Sequence, residues 1–273
     1  MAYATSKGHG PLDRRLFLPK DWAEDDERRR ECRVPEDVDY RAKWRIALDM
    51  LDEHGGAIPH GWIAGDEEFG RPQAFRAGLR DRGERYVLDV PSDTLVRDLG
   101  RRRPPRRPKK GRKREVPFVR ADKWVKGLPR SRWTRFKVRD GEKGPIEVEA
   151  VGTRVRTKYE QRIGPEERLV VIRSVGADPR VWYTLSNAPP EVGLAEPVRA
   201  HAERHRIEQV FEEAKGETGL AHYEVRSWVG WHHHMTLSLL ALWFAATEAR
   251  RLGGQITRRD GAAGEAGLLK AAS

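Results

Sequence analysis

The apolar residues in the first third of the chain follow two different periods. At 39–54 they recur at helical spacing, and a pair of glycines follows where a helix end is expected. A short apolar run at 61–65, a second helical pattern at 72–82 and an apolar run at 86–90 come next. Strand, helix and strand within about thirty residues predict a parallel crossover unit.

The rest of the chain predicts strands at first and helices later. Alternating or short apolar segments at 145–155, 169–172 and 181–185 predict strands, and the segments 201–215 and 227–252 predict helices. A further strand is expected at the start of the chain, at 12–18, before Pro19 interrupts it. These patterns together predict an α/β protein with a β-rich block between its two α/β parts.

Composition indicates a polyanionic partner. The 273 residues are 38% hydrophobic and 35% charged, and their formal net charge is +11, which points to nucleic acid. Residues 101–114 concentrate this charge in a segment with three prolines and a glycine that cannot build a core. This segment is predicted to be either a solvated spacer or a tether on the DNA backbone, and its ten like charges favour the tether. The predicted DNA-binding residues here are Arg101, Arg102, Arg103, Arg106, Arg107, Lys109, Lys110, Arg112, Lys113 and Arg114.

Compartment signals favour the cytoplasm. Cys32 is the only cysteine, so no internal disulfide can form. The first seven residues lack the apolar core of a signal peptide, and the longest apolar run, 235–246, is too short to span a bilayer. We therefore expect no membrane partner.

Two acids stand where chemistry is plausible. Asp66 directly follows the apolar run at 61–65, and ligands in α/β sheets gather at the carboxyl ends of strands. The competing interpretation of Asp66 is a helix N-cap. On a helix over 201–215, Glu208 shares one face with Arg204 and Lys215. The competing interpretation of that face is an ordinary ladder of surface ion pairs.

The spacing of these residues resembles a family signature. Arg204, Glu208 and Lys215, with His201 where the family has Tyr, resemble the Tyr-x2-Arg-x3-Glu-x6-Lys signature of insertion-sequence transposases of the DDE class. Three other stretches are similar to one group of these transposases, so the resemblance runs from about residue 2 to residue 252. They are Leu12–Pro19 followed by Trp22, Trp62–Gly70, and Glu224–Trp228 followed by Trp231 and three histidines.

The resemblance implies an RNase-H-like fold, a mixed sheet flanked by helices with a basic, β-rich insertion. It implies DNA transposition, with Asp66, Glu208 and a third acid holding two Mg²⁺ (or Mn²⁺) ions that activate a nucleophile and stabilise the leaving 3′ oxygen. Arg204, Lys215 and His201 would meet DNA phosphates. The implied partners are transposon ends and target DNA, with a second copy or an intact transposase as a further partner. The implied location is a bacterial-type cytoplasm, at the nucleoid.

The same resemblance predicts domain boundaries. Residues 1–90 would form the first part of the catalytic domain and 91–180 the insertion with its basic linker at 101–114. Residues 181–254 would complete the catalytic domain, and 255–273 would form a disordered tail.

One departure from the family predicts a loss of activity. The family's first catalytic Asp lies on a first strand upstream of the segment that matches residues 2–18, so this sequence is expected to lack that strand and that acid. Asp13 matches a position on the second strand and is not expected to replace it. The expected function is therefore a transposase catalytic domain that is inactive alone. The alternatives are a non-enzymatic DNA-binding remnant and an unrelated basic nucleic-acid-binding protein.

Overall fold

The computed structural model describes residues 1–5, 8–100, 116–141, 144–224 and 226–252. They divide into two compact units, one of Met1–His54 with Glu203–Ser273 and the other of Gly55–Ala202. Within the described residues the helices are α1 (Lys20–Ala23), α2 (Asp26–Glu31), α3 (Lys43–His54), α4 (Glu67–Gly70), α5 (Gln73–Asp81), α6 (Ala121–Lys126), α7 (Ala195–Glu217) and α8 (Trp228–Arg251). The strands are β1 (Ala2–Thr5), β2 (Gly8–Pro11), β3 (Ile63–Gly65), β4 (Tyr86–Asp89), β5 (Leu95–Asp98), β6 (Val119–Arg120), β7 (Thr134–Gly141), β8 (Gly144–Tyr159), β9 (Arg162–Ser174) and β10 (Val181–Ser186).

The unit of residues 55–202 is built on one mixed sheet of eight strands. Its order is β3-β4-β10-β9-β8-β5-β6, and β7 pairs with β8 beside this path. The pair β3–β4 is parallel and the other pairs are antiparallel. This mixed sheet flanked by helices is consistent with the RNase-H-like fold, and the predicted crossover β3–α5–β4 is confirmed.

Each face of this sheet is covered by different helices. On one face, Trp124 of α6 packs with Val96, Val151, Val155 and Leu169. Along the strands these positions alternate with those of the other face. That second face buries Ala150, Val170 and Ile172 against Val198 of α7. We call the two surfaces the α6 face and the α7 face.

A buried charge network fastens α5 to the α6 face. The side chain of Glu167 on β9 has no exposed surface and pairs with Arg76 Nε at 3.0 Å and with an Arg80 nitrogen at 2.9 Å. Tyr86 donates its hydroxyl proton to Glu167 over 2.6 Å, and Thr157 donates to the second carboxylate oxygen over 3.4 Å. Burial, followed by the charge of Glu167, raises the pKa of Tyr86. A carboxylate so deep in the protein is tolerated because donors surround it.

A histidine secures the segment that leads into β3. His60 Nδ1 lies 2.7 Å from the carbonyl oxygen of Ile58, and its Nε2 lies 2.9 Å from a carboxylate oxygen of Glu84. Two acceptors favour the imidazolium, which donates from both nitrogens. The contact with the Ile58 carbonyl, reinforced by Glu84, raises the pKa of His60 against the opposing effect of burial.

The other unit joins an N-terminal hairpin, α1–α3, most of α7 and all of α8. Strands β1 and β2 pair antiparallel, and the indole nitrogen of Trp243 on α8 donates to the carbonyl of Pro11 over 2.9 Å. Ala214 of α7 packs with Leu242 of α8. Within the described residues, no helix combines the length and the apolar composition that a membrane crossing requires.

The strand predicted at 12–18 is wrong. The strands near the chain start are β1 and β2, and residues 12–19 have no regular secondary structure. Pro11 and Pro19 bracket the segment, and its polar groups bond outside a strand ladder: Leu12 N–H donates to the Met1 carbonyl over 2.9 Å, and Arg14 donates to the His232 carbonyl over 3.1 Å. Proline lacks the N–H that a strand ladder needs, which explains the interruption at both ends.

Candidate active site

Asp66 sits at the carboxyl end of β3, where the sequence predicted a candidate ligand. Its Oδ1 accepts from the backbone N–H of Glu68 over 3.0 Å, so the same residue is the N-cap of α4. The side chain is exposed. Both interpretations of Asp66 therefore describe its position, because capping engages one oxygen of a carboxylate that has two.

Two glycines fix the backbone around Asp66. A Cβ at Gly70 would lie 1.8 Å from the carbonyl oxygen of Asp89, and one at Gly65 would lie 2.9 Å from a methyl carbon of Leu88. Only glycine allows α4 to pack this closely against β4. The run from 62 to 70 thus places Asp66 rigidly at the end of the parallel strand pair.

Asp89 is a second acid at this edge of the sheet, which the sequence did not single out. Gly65 is paired with Leu88, so Asp66 and Asp89 follow the last described pair of adjacent parallel strands. Such strands lie about 4.8 Å apart. Asp89 is 5% exposed, and its Oδ1 lies 3.1 Å from Nε2 of His201 on α7. An acid inside the apolar run Tyr86–Val90 was the available signal, since a buried carboxylate needs a partner.

His201, a predicted DNA contact, is engaged inside the protein. Its side chain is 11% exposed, and its ring packs edge-on against Trp182 with 5.7 Å between ring centroids. The His at the family's Tyr position therefore ties α7 to β4 and β10. Its contact with DNA remains a prediction.

Glu208 lies on α7 with a basic residue one turn before it. An Arg204 nitrogen lies 3.3 Å from Oε1 of Glu208, and His205 Nδ1 lies 3.5 Å from Oε2. The Glu208 side chain is 55% exposed, whereas that of Arg204 is 17% exposed. Lys215 is exposed two turns further along the helix. The surface ion pair that competed with the catalytic interpretation is thus present, and exposed pairs of this kind contribute little to stability.

Asp13, the acid weighed as a third metal ligand, forms hydrogen bonds and ion pairs with neighbouring residues. Asp13 Oδ2 lies 3.0 Å from Arg15 Nε and 3.1 Å from His54 Nε2, while Oδ1 accepts from the Arg14 N–H over 2.6 Å. Burial alone would raise the pKa of Asp13, but hydrogen bonds from Arg15 and Arg14 and the charge of Arg15 outweigh it and lower the pKa. Asp13 therefore works as an ion-pair partner inside its own unit.

The predicted basic residues at 101–114 lie outside the described residues, and their DNA contact stays a prediction. The predicted partners Asp66 and Glu208 belong to different units, so a site shared by the two also stays a prediction. Across the described residues, no group of three or more His, Cys, Asp or Glu side chains is placed to hold a metal ion.

Comparison with known proteins decides the family. A family model described as DDE superfamily endonuclease matches residues 1–145, which is more than half of the chain. The chain belongs to the DDE superfamily endonucleases. The match includes Asp13, Asp66 and Asp89 and ends within β8. Among curated proteins, none matches the chain.

Membership of the DDE superfamily endonucleases gives a context for the donor chemistry. These endonucleases generally depend on divalent metal ions. Asp66 and Glu208 are exposed carboxylates, and carboxylate oxygen is the donor that a hard divalent cation takes. Each of the two residues on its own fits such an ion.

Proposed function

We propose that this DDE superfamily endonuclease cleaves and joins DNA strands in transposition of an insertion sequence. The observation that carries the proposal is the placement of Asp66 by a glycine-built turn at the end of a parallel strand pair, within the segment that the family match covers. Rigid placement of an exposed carboxylate at this edge is typical of a ligand position in α/β sheets.

Each residue has a role in this proposal. Asp66 and Glu208 hold the divalent ions, Mg²⁺ or Mn²⁺, which when bound would activate an attacking oxygen and stabilise the leaving 3′ oxygen. Arg204 pairs with Glu208 and shifts to a DNA phosphate when the acid takes a metal ion. Lys215, on the same side of α7, provides a second phosphate contact.

A second candidate function is DNA binding without cleavage. Its specific support is Asp13, whose two carboxylate oxygens are already committed to Arg14, Arg15 and His54. Two-metal catalysis uses carboxylates that bridge and flank both ions. With Asp13 engaged in this way, Asp66 and Glu208 are the two acids assigned as metal ligands, and two carboxylates favour binding of DNA over cleavage.

A strand-cleavage assay separates these functions. The protein would be incubated with labelled transposon-end DNA and Mg²⁺ or Mn²⁺, and both binding and cleavage would be measured. We expect metal-dependent cleavage that is lost in Glu208→Gln and in Asp66→Asn, whereas binding of the DNA without cleavage would support the second function. Glu212→Gln is the matched control, because Glu212 is an exposed acid on the same helix one turn away. Cleavage that survives Glu208→Gln and Asp66→Asn would refute the ligand assignment.

A further inference from the structure

The α7 face of the sheet carries a cluster of cations beyond the area that α7 covers. Leu194 and Val198 pack on this face over Ala150, Val170 and Ile172. Towards the β5 side and the tip of the β8–β9 hairpin, the same face presents basic residues instead. We call this cluster the basic face; it consists of Arg97, Arg120, Arg154, Arg156, Lys158 and Arg168.

Strand alternation places these residues together. On β8, Val155 and Thr157 are buried on the α6 face, whereas Arg154 and Arg156 are exposed on the α7 face and Lys158 is half-buried. The three β8 cations are therefore spaced about 6.7 Å apart along the strand. Regular pairing of β8 with β5 continues through Lys158, so the alternation holds to the end of this pairing.

Cross-strand pairing brings like charges opposite one another. Arg156 is paired with Arg97 of β5 on one side and with the acid Glu166 of β9 on the other. Arg154 is paired with Arg168 of β9. Side chains directly opposite on one face have Cβ atoms about 4.5–5.5 Å apart, and like charges there are destabilising. Consistent with this crowding, burial and the charge of Arg154 lower the pKa of Arg168. A fold that keeps two such pairs benefits from an external anion.

The carboxylates nearby neutralise only part of this charge. Glu166 pairs with Arg154, and Asp122 pairs with Arg120 at 2.9 Å. Arg168 instead donates to the carbonyl oxygens of Val192 and Pro190, over 2.6 and 3.3 Å. For Arg156, Lys158 and Arg168, the described part of the chain records no ion pair with a carboxylate.

Strands β5 and β6, which carry Arg97 and Arg120, are neighbours at one edge of the sheet. β5 ends at Asp98 and β6 begins at Val119, and these two strands pair with each other through Leu95–Arg120 and Val96–Val119. Arg97 and Arg120 therefore extend the basic face as far as this edge.

We propose that the basic face binds the phosphate backbone of duplex DNA. The choice of DNA rests on the proposed function of this endonuclease; the location rests on the pairings above. Arginines and a lysine at regular intervals along neighbouring strands match a repeating anion such as the phosphate backbone. The contacts therefore fix the position of DNA without reading its sequence.

Binding to a fluorescent duplex of arbitrary sequence, measured by anisotropy over a salt series with a chelator present, tests this proposal. The double variant Arg156→Gln with Lys158→Gln removes two cations that form no ion pair with a carboxylate in the described part of the chain. Each lost phosphate contact should make the slope of log K against log salt less steep by about 0.9. The matched control is Lys123→Gln with Lys126→Gln, since both lysines are exposed on α6, on the opposite face. It removes the same net charge and should leave the slope unchanged.

Two further comparisons make each outcome decisive. Arg156→Lys with Lys158→Arg keeps the charge and should keep the slope; a loss as large as in the glutamine variant would show a packing effect and overturn the proposal. Equal loss in the glutamine variant and in the α6 control would reduce the effect to net charge and also overturn it. The proposal would also be overturned if the glutamine variant bound the duplex as tightly as the wild type and lost only its affinity for single-stranded RNA. Because the chelator prevents metal-dependent cleavage, none of these failures bears on the ligand assignment of Asp66 and Glu208.

Discussion

Replacing Glu167 by Gln removes the only negative charge of the buried network on the α6 face that the structure describes. The substitution keeps the side-chain volume, so it leaves no cavity. It leaves Arg76, which is 4% exposed, and the partly exposed Arg80 beside a neutral amide. It also removes the charged acceptor of the Tyr86 hydroxyl. Tyr86 is 0% exposed, so its hydroxyl cannot hydrogen-bond to bulk water instead.

The expected cost follows from how deep the partners lie. Breaking a buried ion pair by removing one member costs about 3–5 kcal/mol, because the remaining charge is stranded away from water. Arg80 is 22% exposed in its side chain and recovers part of its hydration, so the lower end of that range, about 3 kcal/mol, applies. Domains of this size have an unfolding free energy of about 5–15 kcal/mol, so the change is large.

Urea unfolding followed by far-UV circular dichroism measures the difference in unfolding free energy. The control is Glu166→Gln, at the next position of β9: Glu166 faces the other side of the sheet, is 37% exposed in its side chain and pairs with Arg154. Exposed pairs contribute about 0–1 kcal/mol, so the control should lose no more than that. Hydrogen exchange at the amides of β9 and β10 should quicken in the Glu167 variant and stay slow in the control.

Equal destabilisation by the two variants would refute the reasoning, because it would make burial irrelevant to the cost. A Glu167→Gln loss below about 1 kcal/mol would refute it as well.

Three further substitutions test local features. Contacts with the Ile58 carbonyl and Glu84 raise the pKa of His60. Its contribution to stability is therefore complete below the unfolded pKa of about 6.5 and is lost as pH rises through the folded pKa. In thermal melts, His60→Gln should be less stable than the wild type at low pH and equally stable above the folded pKa. Asp13 has a lowered pKa, so its contribution is present above the unfolded pKa of about 3.9 and is lost as pH falls through the folded pKa. Asp13→Asn should cost about 1–2 kcal/mol at pH 7, and denaturant titrations should show this cost shrinking as pH falls below about 3.9. Gly70→Ala should cost at least about 1–3 kcal/mol by urea unfolding, because the added Cβ meets the Asp89 carbonyl, a backbone atom that cannot rotate away.

The sequence predicted the elements whose defining residues lie close together in the chain. The crossover unit from β3 to β4 was predictable because its apolar periods and its glycine stops lie within thirty residues. The α7 and α8 helices were predictable for the same reason, and so was Asp66, since an acid after a short apolar run marks a strand end.

Features that depend on distant partners escaped prediction. Asp89 is paired with a histidine more than a hundred positions later, and Glu167 is buried by arginines ninety positions earlier. The apolar run around Asp89 signals that this acid is buried but does not identify its partner, and no local pattern distinguishes Glu167 from an exposed acid. The irregular segment at 12–19 was missed because its apolar residues imitate a strand, whereas its backbone bonds go to Met1 and to α8. The predicted domain boundaries remain a prediction, although β5–β9 join β4 in one sheet through β10.

The position of β4 between β3 and β10 also sets a time at which the sheet can form during synthesis. Asp89 is paired with Thr184, 95 residues later. At ribosomal rates of about 5–20 residues per second, the apolar run at 86–89 waits on the order of 5–20 s before its antiparallel neighbour exists. Pairing two strands so far apart in the chain also slows folding, because the entropy of loop closure is lost before the strand contacts contribute free energy. For that interval the nascent chain exposes a strand that is fully buried in the folded protein. Chaperone binding or aggregation at this segment would limit how much of the protein accumulates in a cell.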